Sequence, residues 1–148
     1  MKLVLAEPGI LRDSITVISD LVNEGRFKIT KDGLEMIAMD PANVAMVIFK
    51  LLSSCFAEFD VKKDHELALN LASLKQVLKR SGPSDTLTLE LTAENKLQVQ
   101  LKGKSTRTFS LPLIDLTERE QKIPNLTFPV NIAMPSSALN DAIADVDI

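Results

Sequence analysis

The chain reads as an α+β domain, an antiparallel sheet with two helices laid on one face. Three observations predict it. Residues 86–92 (TLTLELT), 96–102 (KLQVQLK) and 105–111 (STRTFSL) alternate polar and apolar side chains, the period of strands with one wet face. Two other stretches carry apolar residues at helical spacing: Leu11, Ile15, Ile18 and Val22 in one, and Leu71, Leu74, Val77 and Leu78 in the other. Strands wet on one side need a single cover on the other, and two amphipathic helices supply it.

In chain order, residues 2–7 read as the first strand, and Pro8 with Gly9 opens the first helix. The helix's opposite stripe is Arg12, Thr16, Ser19 and Asn23, with Asp13 and Asp20 alongside. Residues 27–30 and the Lys31-Asp32-Gly33 turn lead into a hairpin. Apolar runs at 34–39 and 44–50 flank Asp40, Pro41, Ala42 and Asn43, and Asp followed by Pro suits a type I turn. VAMVIF (44–49) is apolar at every position, which predicts a strand covered on both faces. Ser53 and Ser54 end it, and residues 57–61 and 66–69 read as short strands around a charged loop holding His65. Asn70 is a good N-cap for a second helix over 71–80, whose exposed side is Lys75, Gln76, Lys79 and Arg80. Ala93-Glu94-Asn95 and Gly103 turn the alternating strands, and the unit ends near Leu113.

Beyond it the pattern stops. Charged residues crowd 115–122, and Pro124 and Pro129 deny helix and central strand, so 114–129 reads as an extended connector. LNDAI from Leu139 then copies LRDSI from Leu11 at an offset of 128, after a strand at 130–134 in register with 2–6. The expected organisation is a first domain at 1–113, a connector at 114–129, and the first strand and helix of a second, truncated domain at 130–148. Those last residues, about twenty, cannot bury an apolar strand and helix face by themselves.

Composition bounds the function. The lone Cys55 cannot form an internal disulfide, which fits a reducing setting, and its place in SSCFAEF predicts a buried thiol. No apolar run approaches the ~20 residues of a membrane span, and MKLVLAEPG has an acid and a proline where a signal peptide continues apolar. The expectation is a soluble protein that is not exported and meets no membrane. With 17 basic against 20 acidic residues the net charge is −3, so any nucleic-acid contact must be local.

No catalytic constellation stands out. His65 is the only imidazole, and Lys62, Lys63, Asp64 and Glu66 around it read as solvated surface. Without a Gly-rich phosphate loop or Cys/His metal spacing, neither an enzyme nor a cofactor is expected. Between Glu66 and Asp85 there is no acid, while Lys75, Lys79 and Arg80 share one helix face. That stripe fits phosphate tracking without base reading, and equally a solvated face with cations near a helix C-terminus. Met39 and Met46, beside the Asp40 turn, fit either an adaptable docking surface or ordinary core.

Taken together, LVNEGRFKI (21–29), DGLEMIAMDPANVAMV (32–47), NLASLKQVLKR (70–80), TRTFSLPLIDL (106–116) and KIPNLTFPVNIAMPSSAL (122–139) resemble the sliding-clamp family of proliferating cell nuclear antigen, in its archaeal form. The resemblance implies the DNA-clamp fold and a polymerase processivity factor. Such a factor is a head-to-tail trimer of two-domain subunits, sheets outside and helices inside, encircling double-stranded DNA without sequence specificity. It implies a clamp loader, and DNA polymerase, flap nuclease and ligase docking through short peptides. Arg12, Lys75, Lys79 and Arg80 are then the DNA-facing channel residues, although Asp13 and Ser19 stand where relatives often carry lysine. Met39, Asn43, Val44 and Met46, with Gln121 and Ile123 from the connector, become the partner-peptide pocket. Arg107, Thr108, Phe109, Ser110 and Leu111 become the subunit-interface strand, which in the family pairs with a second-domain strand of the next subunit. The compartment implied is the archaeal cytoplasm and nucleoid, or the nucleus in a eukaryote. The alternative is a clamp-derived peptide-binding module that does not encircle DNA.

Overall fold

The computed structural model describes residues 1–115 and 123–146. Nearly every apolar residue placed at period two or at helical spacing falls on a regular element. In order these are β1 (Lys2–Leu5), α1 (Gly9–Ile18), β2 (Glu24–Thr30), β3 (Gly33–Met39), β4 (Met46–Leu52), β5 (Glu58–Asp60), β6 (His65–Asn70), α2 (Leu71–Leu78), β7 (Thr86–Leu91), β8 (Lys96–Lys102), β9 (Thr106–Pro112) and α3 (Ser136–Val146).

The antiparallel, helix-covered architecture is as expected, but the strands form two sheets. One has the order β5-β1-β7-β8-β9 and the other β4-β3-β2-β6, with antiparallel pairing throughout. The chain starts in the first sheet with β1, returns to it briefly at β5, and after β6 passes through α2 to rejoin it at β7. Local alternation fixes a strand's faces but not its partners, so two sheets and one look alike in sequence. Leu3, Leu5, Leu87 and Val99 of the first sheet join Phe27, Ile29, Leu34 and Met36 of the second in one core, with Leu11, Ile15, Leu71 and Leu78 of the helices.

Local chemistry sets the boundaries. Pro8, with its ring-fixed φ, is the N-cap of α1, and the Asn70 side chain caps α2 by accepting from the Ser73 N–H at 2.9 Å. The β2–β3 hairpin turns at Gly33, whose φ of 152° lies where L-residues are strained, and a Cβ there would meet the Leu51 carbonyl oxygen at 2.3 Å.

Several expectations are corrected. The 44–49 run is not covered on both faces. β4 is an edge strand, so Val47, Phe49 and Leu51 turn toward the core while Ile48 and Leu52 stay exposed. Cys55 is exposed, on a short 3-10 turn, because the neighbouring Phe56 takes the core position and packs on Phe59 with ring centroids 5.0 Å apart. His65 is no loop residue: it opens β6 opposite Ile29 and is half-buried. Burial, followed by the positive charges of the Met1 terminus and Lys63, lowers its pKa against the opposing pull of Asp64. Residues 130–134 form no strand, and Val130 and Ile132 are exposed. A strand needs a partner, and among the described residues no strand pairs with that segment.

Candidate nucleic-acid interface and docking surface

The helix pair carries the cationic candidates. α1 and α2 pack side by side, and Lys75 bridges them: its Nζ lies 2.8 Å from Asp20 Oδ1 and donates to the Thr16 carbonyl at 3.3 Å. Half-buried and paired, Lys75 holds the helices together and does not project freely from them. Arg12 is likewise engaged, its Nε donating to Asp13 Oδ1 at 2.8 Å. That bond raises the Arg12 pKa and holds the Asp13 carboxyl below its ordinary value, so both stay charged and largely cancel. Lys79 and Arg80, at and just past the C-terminus of α2, are exposed. The four cations grouped from the sequence therefore divide into two that are locally neutralised and two that face solvent.

The 40–45 turn is organised by one carboxylate. Asp40 Oδ1 accepts from the Val44 and Ala45 N–H groups, each at 2.7 Å, and Oδ2 accepts from the Ala42 N–H at 3.2 Å. The Asn43 N–H closes the turn on the Asp40 carbonyl at 2.9 Å, with Asn43 at a φ of 57°, a left-handed conformation asparagine tolerates. The Ala45 bond first, helped by those of Val44 and Ala42, lowers the Asp40 pKa. This geometry lifts Val44 into solvent, 85% exposed, beside the directly paired Met39 and Met46.

Register extends that surface beyond the residues anticipated. Ile37 lies opposite Ile48, and Glu35 opposite Lys50 with an ion pair of 3.0 Å. Met39, Met46, Ile37 and Ile48 thus form a contiguous apolar strip on the outward side of the β3–β4 hairpin. Ile37 and Ile48 were legible in principle: once the Asp40 turn fixes the hairpin register, residues summing to a constant face each other. Ile123 is exposed, and Gln121 lies outside the described residues.

β9 is the edge of the five-stranded sheet. Phe109 is half-buried and Leu111 buried on its inner side, while Thr108 and Ser110 are exposed. Arg107 is anchored inward, donating from Nη1 to the Arg80 carbonyl at 2.8 Å and from Nη2 to the buried Asp85 carboxylate. Asp85 also accepts from the Gly82 N–H at 2.9 Å and crowds Gly103, where a Cβ would lie 1.9 Å from its Oδ1. The edge strand is thereby tied to the C-terminal end of α2.

Among families of known proteins, the one described as proliferating cell nuclear antigen, N-terminal domain, matches residues 1–119. The chain belongs to the proliferating cell nuclear antigen family. It is 38% identical over 134 residues to the DNA polymerase sliding clamp of Pyrococcus furiosus, covering 90% of this chain and 54% of that protein. It is 37% identical over 136 residues to the clamp of Thermococcus gammatolerans, covering 92% and 55%. Among solved structures, a PCNA2–PCNA3 complex from Sulfolobus tokodaii matches with a TM-score of 0.81 at 29% identity, covering 87% of this chain and 52% of that one. PCNA from Thermococcus kodakaraensis matches with a TM-score of 0.80 at 31% identity, covering 84% and 51%. The fold is therefore that of a clamp domain, and the chain spans about half the length of the curated relatives it matches.

No helix among the described residues is long and apolar enough to cross a membrane. Among the described residues no three His, Cys, Asp or Glu side chains cluster to hold a metal.

Proposed function

We propose that this chain is the first-domain part of a DNA sliding-clamp subunit, a processivity factor and docking platform that acts without catalysis. The observation that carries the reading is the family match over 1–119 on a fold whose helix pair presents Lys79 and Arg80 to solvent. Two exposed cations contact phosphates, not bases, so the grip on double-stranded DNA is weak, sequence-independent and lost with salt. Lys75 and Arg12 contribute to the channel field only after their pairing to Asp20 and Asp13 is discounted.

The Met39, Asn43, Val44 and Met46 surface receives the docking peptides of polymerase, flap nuclease and ligase, with Ile123 and Gln121 as its connector edge. The Arg107, Thr108, Phe109, Ser110 and Leu111 strand forms the subunit interface of a homotrimer, or of a ring with a complementary C-terminal half, opened by a clamp loader. The organisation 1–113, 114–129 and 130–148 is supported by α3, which ends 128 residues after α1 ends, the offset of the sequence repeat. The protein works wherever the genome is, in the archaeal cytoplasm or a nucleus.

The test is polymerase stimulation by the chain reconstituted with the other half of a clamp subunit. Replacing Lys79 and Arg80 by Glu should abolish stimulation and leave the thermal midpoint unchanged; undiminished stimulation contradicts the channel assignment.

The neutralised Lys75 and Arg12 favour a second reading, a module that binds docking peptides and never encircles DNA. Tight peptide binding by a reconstituted assembly that DNA never retains would select it.

A further inference from the structure

We infer that the docking peptides of this chain reach beyond the Asp40 turn and set one further aliphatic side chain on Ile37 and Ile48. This extends the docking role proposed above for Met39, Val44 and Met46, and rests on it. Ile37 and Ile48 are not among the residues that the family resemblance implies; the β3–β4 register places them.

Outward positions elsewhere in the fold are polar. Those of β2, β7 and β8 are Thr, Glu, Arg, Lys and Gln without exception, the wet face that alternation predicts. The β3–β4 hairpin departs from that rule at two successive cross-strand pairs, Met39 with Met46 and Ile37 with Ile48. Ile48 is 46% exposed and Ile37 half-buried, so the second pair is as open to a ligand as the first.

The strip has two ends. The Asp40 turn, with Val44 lifted into solvent, bounds one. A charged row crosses the sheet at the other: Lys28 stands opposite Glu35, and Glu35 pairs with Lys50 at 3.0 Å. Between the methionines and that row lies room for one more side chain. Two residues along a strand span about 6.6 Å, so the second residue of an extended peptide leaving the turn surface comes over the isoleucines. Size favours a peptide over a second copy of the chain. The apolar area is on the order of a few hundred Å², whereas a standard interface takes ~800 Å² from each partner.

The two pairs select differently. Thioether side chains adjust to what lies on them, while isoleucine is stiff at χ1 and offers a fixed shape. Leucine or methionine suits the second pair, and a charged residue there would lose water against apolar side chains.

The test is a peptide titration of the full chain, because the strip lies wholly within it. The probe is the docking peptide of a clamp-dependent DNA polymerase, carrying at either end a tail of Gly and Ser through which a single Leu is walked. At one tail position Leu should tighten binding roughly five- to tenfold, the effect of burying about half of a leucine side chain. In the double variant Ile37→Gln, Ile48→Gln that gain should vanish, whatever happens to the plain peptide. In Leu52→Gln, which removes an exposed leucine beyond the charged row, it should persist. Thermal midpoints establish that the variants fold, and Ile48→Thr, which keeps the β-branch, should lose most of the gain even where the double variant does not fold. No gain at any position, or a gain that survives at Ile48→Thr and in the double variant, would overturn the extension and leave the turn surface as the docking site. Failure of the plain peptide to bind would overturn both.

Discussion

α1 and α3 carry the same motif and meet opposite fates. Leu11, Ile15 and Ile18 are 2%, 0% and 7% exposed, whereas their counterparts 128 residues on, Leu139, Ile143 and Val146, are 49%, 59% and 86% exposed. Both helices form, so the motif specifies an amphipathic helix in either place. What differs is the sheet beneath. α1 lies on a core built from two sheets, and no described strand faces α3. Helix propensity and patterning are local, but the stabilisation from an apolar stripe is realised only against a partner surface.

The contrast can be broken most forcefully at Ile15. Ile15→Ala empties a fully buried site and should cost about 2–5 kcal/mol in urea unfolding. A cost under half that would mean the α1 packing is looser than described. Next in size is Arg107→Ala, which strips the buried Asp85 carboxylate of its cation and frees the end of α2. A loss of about 1.5–3 kcal/mol is expected, and an unchanged denaturation midpoint would remove Arg107 as the tie between β9 and α2.

Acid should loosen the 40–45 turn. Asp40 has a folded pKa below its ordinary 3.8, so its contribution is complete above that value and lost as pH falls through the lower folded one. Asp40→Asn should flatten that acid limb in a pH series of stability; an identical limb in both proteins would discount the carboxylate. The smallest effect is predicted at Ile143→Ala, within about 0.5 kcal/mol in this chain alone, as for an exposed helix residue. The same variant should become costly once a second-domain sheet is supplied. An equal cost in both states would end the comparison.

The same division separates what could be read in the sequence from what could not. Lys96–Lys102 and the Asn70 cap are dictated locally, by alternation and by one side chain meeting one N–H, and the structure has them where expected. Exposure of β4 and Cys55 depends on which strand lies at an edge, and nothing within MVIFKLL or SSC encodes that. The cations proposed for the channel show the limit most clearly. Lys75, Lys79 and Arg80 are alike in pattern, yet Asp20, 55 positions away, claims the first and leaves the other two. Asp40 was visible as a turn former, but its three backbone bonds need the folded 40–45 loop.

The central proposal is topological: that this chain, completed by the other half of a clamp subunit, encircles DNA. The most direct measurement is retention of the reconstituted, loader-treated assembly on nicked circular DNA in high salt, before and after the circle is cut once. The account predicts retention on the circle and prompt loss on linearisation, because a ring held by encirclement slides off an end while weak phosphate contacts are already screened. Equal loss from circle and line, or retention that survives the cut, would contradict it.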